Sequence, residues 1–135
     1  MTVERIPIAD RPSWLAMRSR DLTASDIGAV AGLDKHKSAF RVYAEKSGLI
    51  PGAADNNIMR RGRWLEAAVV EALKDERPTW KLQRAGVYLR DPELRLGATP
   101  DAVAIDPERP GIGMVQIKVV SKPAYESGWG DGPPR

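Results

Sequence analysis

The chain has 135 residues, 42% of them hydrophobic and 29% charged, a balance typical of one folded domain that excludes a wholly disordered chain. It has no cysteine and one histidine, which excludes disulfides, thiolate metal sites and histidine-based metal sites, so a bound metal would need oxygen ligands. The net charge of +3 is compatible with a phosphate-bearing partner, but a solvated surface explains so small an excess equally well.

Residues 1–50 are predicted to contain an arm and three short helices. The arm spans 1–12, where Pro7, Asp10 and Pro12 interrupt any periodicity. A residue that favours a helix N-cap then precedes each of three apolar segments, and the second cap has an aspartate three residues later, as in a capping box. The expected caps are Ser13, Thr23 and Ser38.

A long helix is predicted from about Asn56 to Arg77, ending before Pro78. Its apolar or small positions recur at three- and four-residue steps, and we expect this stripe to face a sheet. The stripe consists of Ile58, Gly62, Leu65, Val69 and Ala72.

Three strands should build that sheet, at 80–89, 94–105 and 114–120, with turns at 91–92 and 107–113. Helices followed by strands indicate an α/β or α+β fold in which the N-terminal helices pack on a central sheet. The tail, 123–135, reads as turn-like and stops without completing an element, from which we expect a domain truncated at its C-terminus.

Three segments contain residue types suited to chemistry. Glu66 lies beside the apolar stripe one turn after Gly62, whose missing side chain would let another group approach the carboxylate. Asp101 follows Pro100, which suits a bulge that aims the acid away from the regular pleat. Gln116 and Lys118 are two residues apart, so in a strand they share a face. Each has an ordinary alternative, namely a helix-surface glutamate, a turn aspartate or a half-exposed edge strand.

The combination of the three segments is more informative than each alone. Carboxylates can hold a divalent ion that lowers the pKa of a bound water, and a lysine can orient the nucleophile or stabilise developing charge. Two acids, an amide and a lysine on neighbouring elements therefore indicate phosphodiester hydrolysis.

The residues also resemble a known family. Pro100-Asp101 followed by Gln116-Ile-Lys118 is similar to the PD-(D/E)xK nuclease signature, and Glu66 matches the acid that many members supply from a core helix. Trp14-x-x-x-Arg18 with Ser25 seven residues later, Gly-x-x-x-Glu at 62–66 and Gly-x-Thr-Pro-Asp at 97–101 resemble the YqaJ-like and lambda-type phage recombination exonucleases. The resemblance covers residues 14–120.

The resemblance implies a restriction-endonuclease-like core with a mixed sheet. Residues 13–50 would form DNA-end-binding helices and 55–122 the catalytic core. The implied activity is a 5′→3′ exonuclease on double-stranded DNA ends, with Mg²⁺ or Mn²⁺ held by Glu66, Asp101 and Gln116, and with Lys118 assisting attack.

The resemblance further implies that the terminal 5′-phosphate is bound by Arg18, Ser25 and Thr99. A first-turn serine lies where free N–H groups attract phosphate, and an arginine can add a bidentate pair. The cluster of Arg60, Arg61 and Arg63 could track the DNA backbone, although a solvated face explains it equally well. Trp14 and Trp64 are expected in the core rather than as stacking platforms.

The implied partners are double-stranded DNA ends and a single-strand annealing protein. The sequence does not decide whether the chain forms a homo-oligomer. No apolar run approaches the roughly 18 residues of a membrane span, and the N-terminal residues do not form a signal-peptide core. We therefore expect a protein of the cytoplasm with no membrane partner.

Gln116 is the main departure from the family pattern, which has glutamate there. An amide oxygen can coordinate a hard cation, but it has no formal charge and cannot accept a proton. We expect weaker metal binding and a rate at least ~100-fold lower. A DNA-end-binding remnant that cannot cut is therefore an alternative, and a structural domain unrelated to nucleic acid becomes the better interpretation if the three segments lie far apart.

Overall fold

The computed structural model describes residues 2–128 and has an α+β fold. Its helices are α1 (Arg11–Arg20), α2 (Ala24–Val30), α3 (Ala39–Lys46), α4 (Asn57–Glu76) and α5 (Lys122–Gly128). Its strands are β1 (Glu4–Pro7), β2 (Leu22–Thr23), β3 (Lys81–Arg84), β4 (Val87–Asp91), β5 (Leu96–Ala98), β6 (Ala102–Ile105) and β7 (Gly113–Val115). None of these helices is both long and apolar enough to cross a membrane.

The strands form two hydrogen-bonded sheets. One has the order β1-β4-β5-β2, with β2 and β5 parallel and the other pairs antiparallel, so the expected mixed character is confirmed. The other is the antiparallel sheet β3-β6-β7. The predicted central sheet is thus present in two parts.

The division arises at one β-bulge, which breaks two of the predicted strands. The predicted strand 80–89 is split into β3 and β4, and 94–105 into β5 and β6. Arg84 pairs with Ala102 and Leu89 with Ala98, so five residue steps on one strand face four on the other. Gly86, with φ of 57°, lies at the extra residue. The pairing therefore bends at the point where Thr99, Pro100 and Asp101 follow β5.

The prediction of an N-terminal arm over 1–12 was wrong. Residues Glu4–Pro7 form β1, an edge strand paired with β4, and Pro7 is tolerated because an edge strand need not donate on both sides. Helix α1 also starts earlier than expected, because Asp10 rather than Ser13 is its N-cap and accepts a hydrogen bond from the Ser13 backbone at 2.8 Å.

The caps of the next helices are confirmed. Thr23 caps α2, and its backbone N–H and hydroxyl both donate to Asp26 Oδ2, at 3.2 and 2.6 Å. Ser38 caps α3 and accepts from the Arg41 backbone at 3.2 Å. Asn56 caps α4 in the same way, as the predicted start of the long helix requires. These local side-chain interactions fix where each helix begins.

The stripe predicted on α4 was wrong in which residues face the sheet. Ile58 is 74% exposed and Leu65 and Val69 are each 39% exposed. Glu66 is half-buried and Val70, one turn later, is buried, and α4 contacts β3. Glu66 therefore lies on the inner side of the helix.

The last predicted strand and the tail also differ. Strand β7 ends at Val115, so Gln116 and Lys118 lie outside a strand. Side-chain exposure nevertheless keeps alternating along this segment, because Gln116 and Lys118 are exposed while Ile117 is half-buried. Part of the predicted turn-like tail is α5, and residues 129–135 lie outside the described residues.

The largest buried side chain, Tyr88, holds the four-stranded sheet and α1 together. Its hydroxyl donates to the buried Asp21 at 3.2 Å, and Arg90 donates to the same carboxylate at 2.9 Å. Burial and the neighbouring Asp21 charge raise the pKa of Tyr88 to about 12. Gly97 lies against this ring, since a Cβ there would be 1.7 Å from the Tyr88 hydroxyl oxygen. This packing explains the glycine of the Gly-x-Thr-Pro-Asp segment.

Candidate active site

One cleft of about 870 Å³ lies where α1, α2 and α4 meet the connection between β5 and β6, opposite the bulge at Gly86. It gathers all three segments singled out in the sequence, so they are not far apart. The predicted site residues in its lining are Arg18, Ser25, Arg63, Glu66, Thr99, Asp101, Gln116 and Lys118. Arg60 and Arg61 are not in that lining.

The acidic centre consists of Glu66 from α4 and Asp101 from the connection between β5 and β6, both half-buried. Burial, and then the like charge of Asp101, raise the pKa of Glu66. Neighbouring cations oppose this shift, with Arg84 acting more strongly than Arg63 or Lys118. Two carboxylates that disfavour each other's charge form a pair that a cation would stabilise.

Gly62 does not have the role expected from its spacing. No atom of the described chain, apart from its neighbours and the helix backbone, lies within 4 Å of the position that a Cβ would take. No other group therefore approaches Glu66 through the gap at Gly62, and the placement of Glu66 follows from its side of α4.

Gln116 makes a direct hydrogen bond to the catalytic candidate Asp101. Its Nε2 donates to Asp101 Oδ2 at 2.5 Å, and the Ile117 backbone N–H donates to the same oxygen at 2.6 Å. The bulge also fixes Asp101 through its backbone, which accepts from Ala85 and donates to Val115, each at 3.2 Å. Asp101 is therefore held by donors of the protein itself.

The other end of the cleft carries hydroxyls and an arginine. Arg18 Nη2 donates to Ser25 Oγ at 2.7 Å and lies within 3.3 Å of Thr23 Oγ1. The guanidinium of Arg18 also stacks over the ring of Trp14, 4.6 Å from its centroid. Arg18 and Ser25 are thus fixed side by side at the first turn of α2.

Trp14 is half-buried and lines the cleft, so the expectation of a core residue was only partly right. Its Nε1 donates to Thr99 Oγ1 at 2.9 Å, which links α1 to the turn that carries Asp101. Trp64 is 72% exposed on α4, so its placement in the core was wrong. Trp14 therefore connects the two ends of the cleft.

The three arginines of α4 differ in their surroundings. Arg63 makes a two-pronged ion pair with Asp55, at 2.9 and 2.7 Å, and Arg60 donates to Asn57. Arg61 is exposed and lies outside the cleft lining. The structure thus brings only Arg63 of this cluster to the cleft, where Asp55 already offsets its charge.

Two features of the cleft were missed in the sequence. Arg84, the last residue of β3, lines the cleft beside the acidic centre, and a single arginine at a strand end gives no signal of this. Asp26 is buried and pairs with Lys46 at 2.8 Å and Lys37 at 3.2 Å, while Lys46 also donates to the Arg18 carbonyl at 2.7 Å. The capping-box pattern identified Asp26 only as a cap. In the structure it also positions the Arg18 end of the cleft.

The donor set partly fits a hard divalent cation. Glu66 and Asp101 offer carboxylate oxygens and Gln116 an amide oxygen, which are ligands that Mg²⁺ or Mn²⁺ accepts. Within residues 2–128, however, no group of three acidic, histidine or cysteine side chains is close enough to hold a metal. The amide must also rotate, because its nitrogen now faces Asp101. Two acids and a rotated amide are the available ligands.

A family model described as the YqaJ-like viral recombinase domain matches residues 13–134. No curated protein and no solved structure matches the chain. The matched range contains every predicted site residue, from Arg18 to Lys118.

Proposed function

Because the chain belongs to the family of YqaJ-like viral recombinase domains, we propose that it is a Mg²⁺- or Mn²⁺-dependent exonuclease acting 5′→3′ on double-stranded DNA ends in phage-type recombination. One observation carries the proposal. A single cleft contains an acid pair and a lysine at one end and an arginine–serine pair at the other. An end-processing nuclease needs both a centre that cuts and a place for the terminal phosphate.

At the acidic end, Glu66 and Asp101 would hold the cation, with the Gln116 amide oxygen as a third ligand. The bound ion would supply an activated water and neutralise charge on the phosphate. Lys118 is exposed and lies in the same cleft, where its ammonium can orient the attacking oxygen or stabilise developing charge. The bulge that fixes Asp101 keeps its carboxylate aimed at this point.

At the other end, Arg18, Ser25 and Thr99 would bind the terminal 5′-phosphate. Arg18 needs little reorganisation, because Trp14 and the hydroxyls of Thr23 and Ser25 already hold its guanidinium. A held guanidinium loses less entropy when it forms a charge-assisted pair with phosphate. The 5′-end of a duplex would then be positioned relative to the acidic centre.

A second candidate is a protein that binds DNA ends and does not cut, and the Gln116–Asp101 hydrogen bond favours it. That bond gives Asp101 a partner without any metal. Cutting would require the amide to turn and the ion to compete with two protein donors. The phosphate-binding end does not depend on that change.

The decisive experiment is a nuclease assay on 5′-phosphorylated linear duplex with Mg²⁺ or Mn²⁺, comparing the chain with Lys118→Ala and with the control Lys122→Ala. Lys122 is an exposed lysine of α5 outside the cleft lining. The nuclease proposal predicts metal-dependent cutting that Lys118→Ala abolishes and Lys122→Ala keeps. If DNA ends bind but no metal supports cutting, the binding protein is the correct interpretation.

A further inference from the structure

Arg84 is positioned at the acidic centre by the sheet rather than by a partner side chain. It ends β3 and pairs with Ala102, the residue after Asp101. In a strand, alternate residues share a face, so Arg84 is on the same side as the buried Leu82, toward α4 and Glu66. The side chain accordingly lines the cleft together with Glu66 and Asp101.

The guanidinium of Arg84 is exposed and can be reached by a ligand. Among the ion pairs of residues 2–128, none includes Arg84, although Arg63 of the same cleft is paired with Asp55. A cation near the centre without an ion-pair partner can accept an external anion.

The cleft as a whole also favours an anion. Its lining in the described chain carries five cationic side chains and three carboxylates, and Asp55 outside the lining pairs with two of the cations, which leaves an excess of one positive charge. The cations are Arg11, Arg18, Arg63, Arg84 and Lys118. A concave surface with excess positive charge concentrates phosphate even when no metal is present.

We propose that Arg84 binds a DNA phosphate at the acidic centre, separate from the terminal-phosphate end at Arg18, and that this contact forms without a metal ion. The inference rests on the proposed function in that it assumes DNA enters the cleft. A planar guanidinium suits this role, since it can donate two parallel hydrogen bonds to one phosphate. The phosphate would be an internal one, so the contact should not depend on the chemistry of the 5′-end.

The test is fluorescence anisotropy of the full chain with labelled duplex in EDTA, where binding is not confounded by cutting. Two duplexes are used, one with a 5′-phosphate and one with a 5′-hydroxyl. The variant is Arg84→Gln, and its matched control is Lys81→Gln, which removes one charge from the same strand at an exposed residue outside the cleft lining. Arg18→Gln serves as the reference for the terminal-phosphate end.

Arg84→Gln should weaken binding of both duplexes about tenfold and reduce the salt slope by about one. Lys81→Gln should change binding less than about twofold, and Arg18→Gln should weaken only the 5′-phosphorylated duplex. Arg84→Lys, which keeps the charge but loses the two parallel donors, should weaken binding less than Arg84→Gln does, and thermal melting of each variant verifies that it is folded.

Equal effects of Arg84→Gln and Lys81→Gln would overturn the assignment of Arg84 while leaving the proposed function intact. A loss restricted to the 5′-phosphorylated duplex would overturn its location at the acidic centre. Failure of the unmodified chain to bind either duplex in EDTA would overturn this inference, whereas the nuclease assay in Mg²⁺ or Mn²⁺ tests the proposed function separately.

Discussion

Replacing Gln116 by glutamate should make the stability of the chain depend on metal and should raise its metal-dependent activity. The present amide donates to Asp101 Oδ2 at 2.5 Å. Gln116→Glu removes that donor and places a second negative charge beside Asp101, with Glu66 also in the cleft. Without metal the variant should be less stable than the parent, and with metal it should gain a third acidic ligand.

The size of the effect follows from the two interactions involved. A hydrogen bond to a charged acceptor contributes about 1.5 kcal/mol at the low end, which applies here because Gln116 is exposed. Two carboxylates about 4 Å apart in water repel each other by about 1 kcal/mol. The variant should therefore lose about 2.5 kcal/mol in EDTA, which lowers the Tm of a domain of this size by roughly 8 °C. Cutting in Mg²⁺ should rise about 100-fold.

The assay is thermal unfolding in EDTA and in Mg²⁺, followed by cutting of 5′-phosphorylated duplex. Gln83→Glu is the matched control, because Gln83 is exposed on β3 and lies outside the cleft lining. Two results would refute this prediction. Either Gln116→Glu melts at the same temperature as the parent in EDTA, or Mg²⁺ raises the Tm of Gln116→Glu and of the parent equally.

Three further predictions concern packing, charge and pH. Gly97→Ala should cost about 3 kcal/mol in urea unfolding, because its Cβ would lie 1.7 Å from the Tyr88 hydroxyl, whereas Gly28→Ala has open space and should not destabilise in this way. Asp26→Asn should cost about 3 kcal/mol at neutral pH, since Lys46 loses its buried ion-pair partner and Lys37 keeps only Glu45. Burial opposes the charge of Asp26, but hydrogen bonds from its lysine and threonine partners hold its pKa well below the usual range. The loss of unfolding free energy in Asp26→Asn should therefore shrink as the pH falls below about 4, and urea unfolding at several pH values will measure it. Burial and the like charge of Asp101 raise the pKa of Glu66, whose ionised carboxylate would bind Mn²⁺. As the pH is lowered, the Mn²⁺-induced rise in Tm should therefore disappear at a higher pH than a glutamate with an ordinary pKa would give.

The parts of the fold that the sequence predicted correctly are those decided by near neighbours in the chain. The caps at Thr23 and Ser38 and the helix start at Asn56 depend on side chains that bond to backbone or side-chain groups three residues on, so their patterns are readable directly. The grouping of Glu66 and Asp101 in one cleft followed from the family resemblance, since nothing local relates α4 to the bulge.

The parts that were wrong depend on distant pairing. Strand β1 exists because Glu4–Pro7 finds a partner in β4, at least 80 residues later in the chain. The break of two long strands into four depends on the register across the bulge at Gly86, which no short window contains. On α4 the predicted stripe and the observed inner side both have helical spacing, and only the placement of β3 selects the side with Glu66 and Val70.

The charge of the cleft explains why one amide matters to both candidate functions. A site that cuts DNA must hold a divalent cation among carboxylates while it binds a polyanion, so the number of carboxylates affects the two ligands in opposite directions. With Gln116 neutral, cations outnumber carboxylates in the described lining, which favours phosphate over metal. Gln116→Glu reduces that excess, so it should strengthen metal binding and weaken DNA binding in EDTA. A variant that strengthened both, or weakened both, would show that charge balance does not govern this cleft.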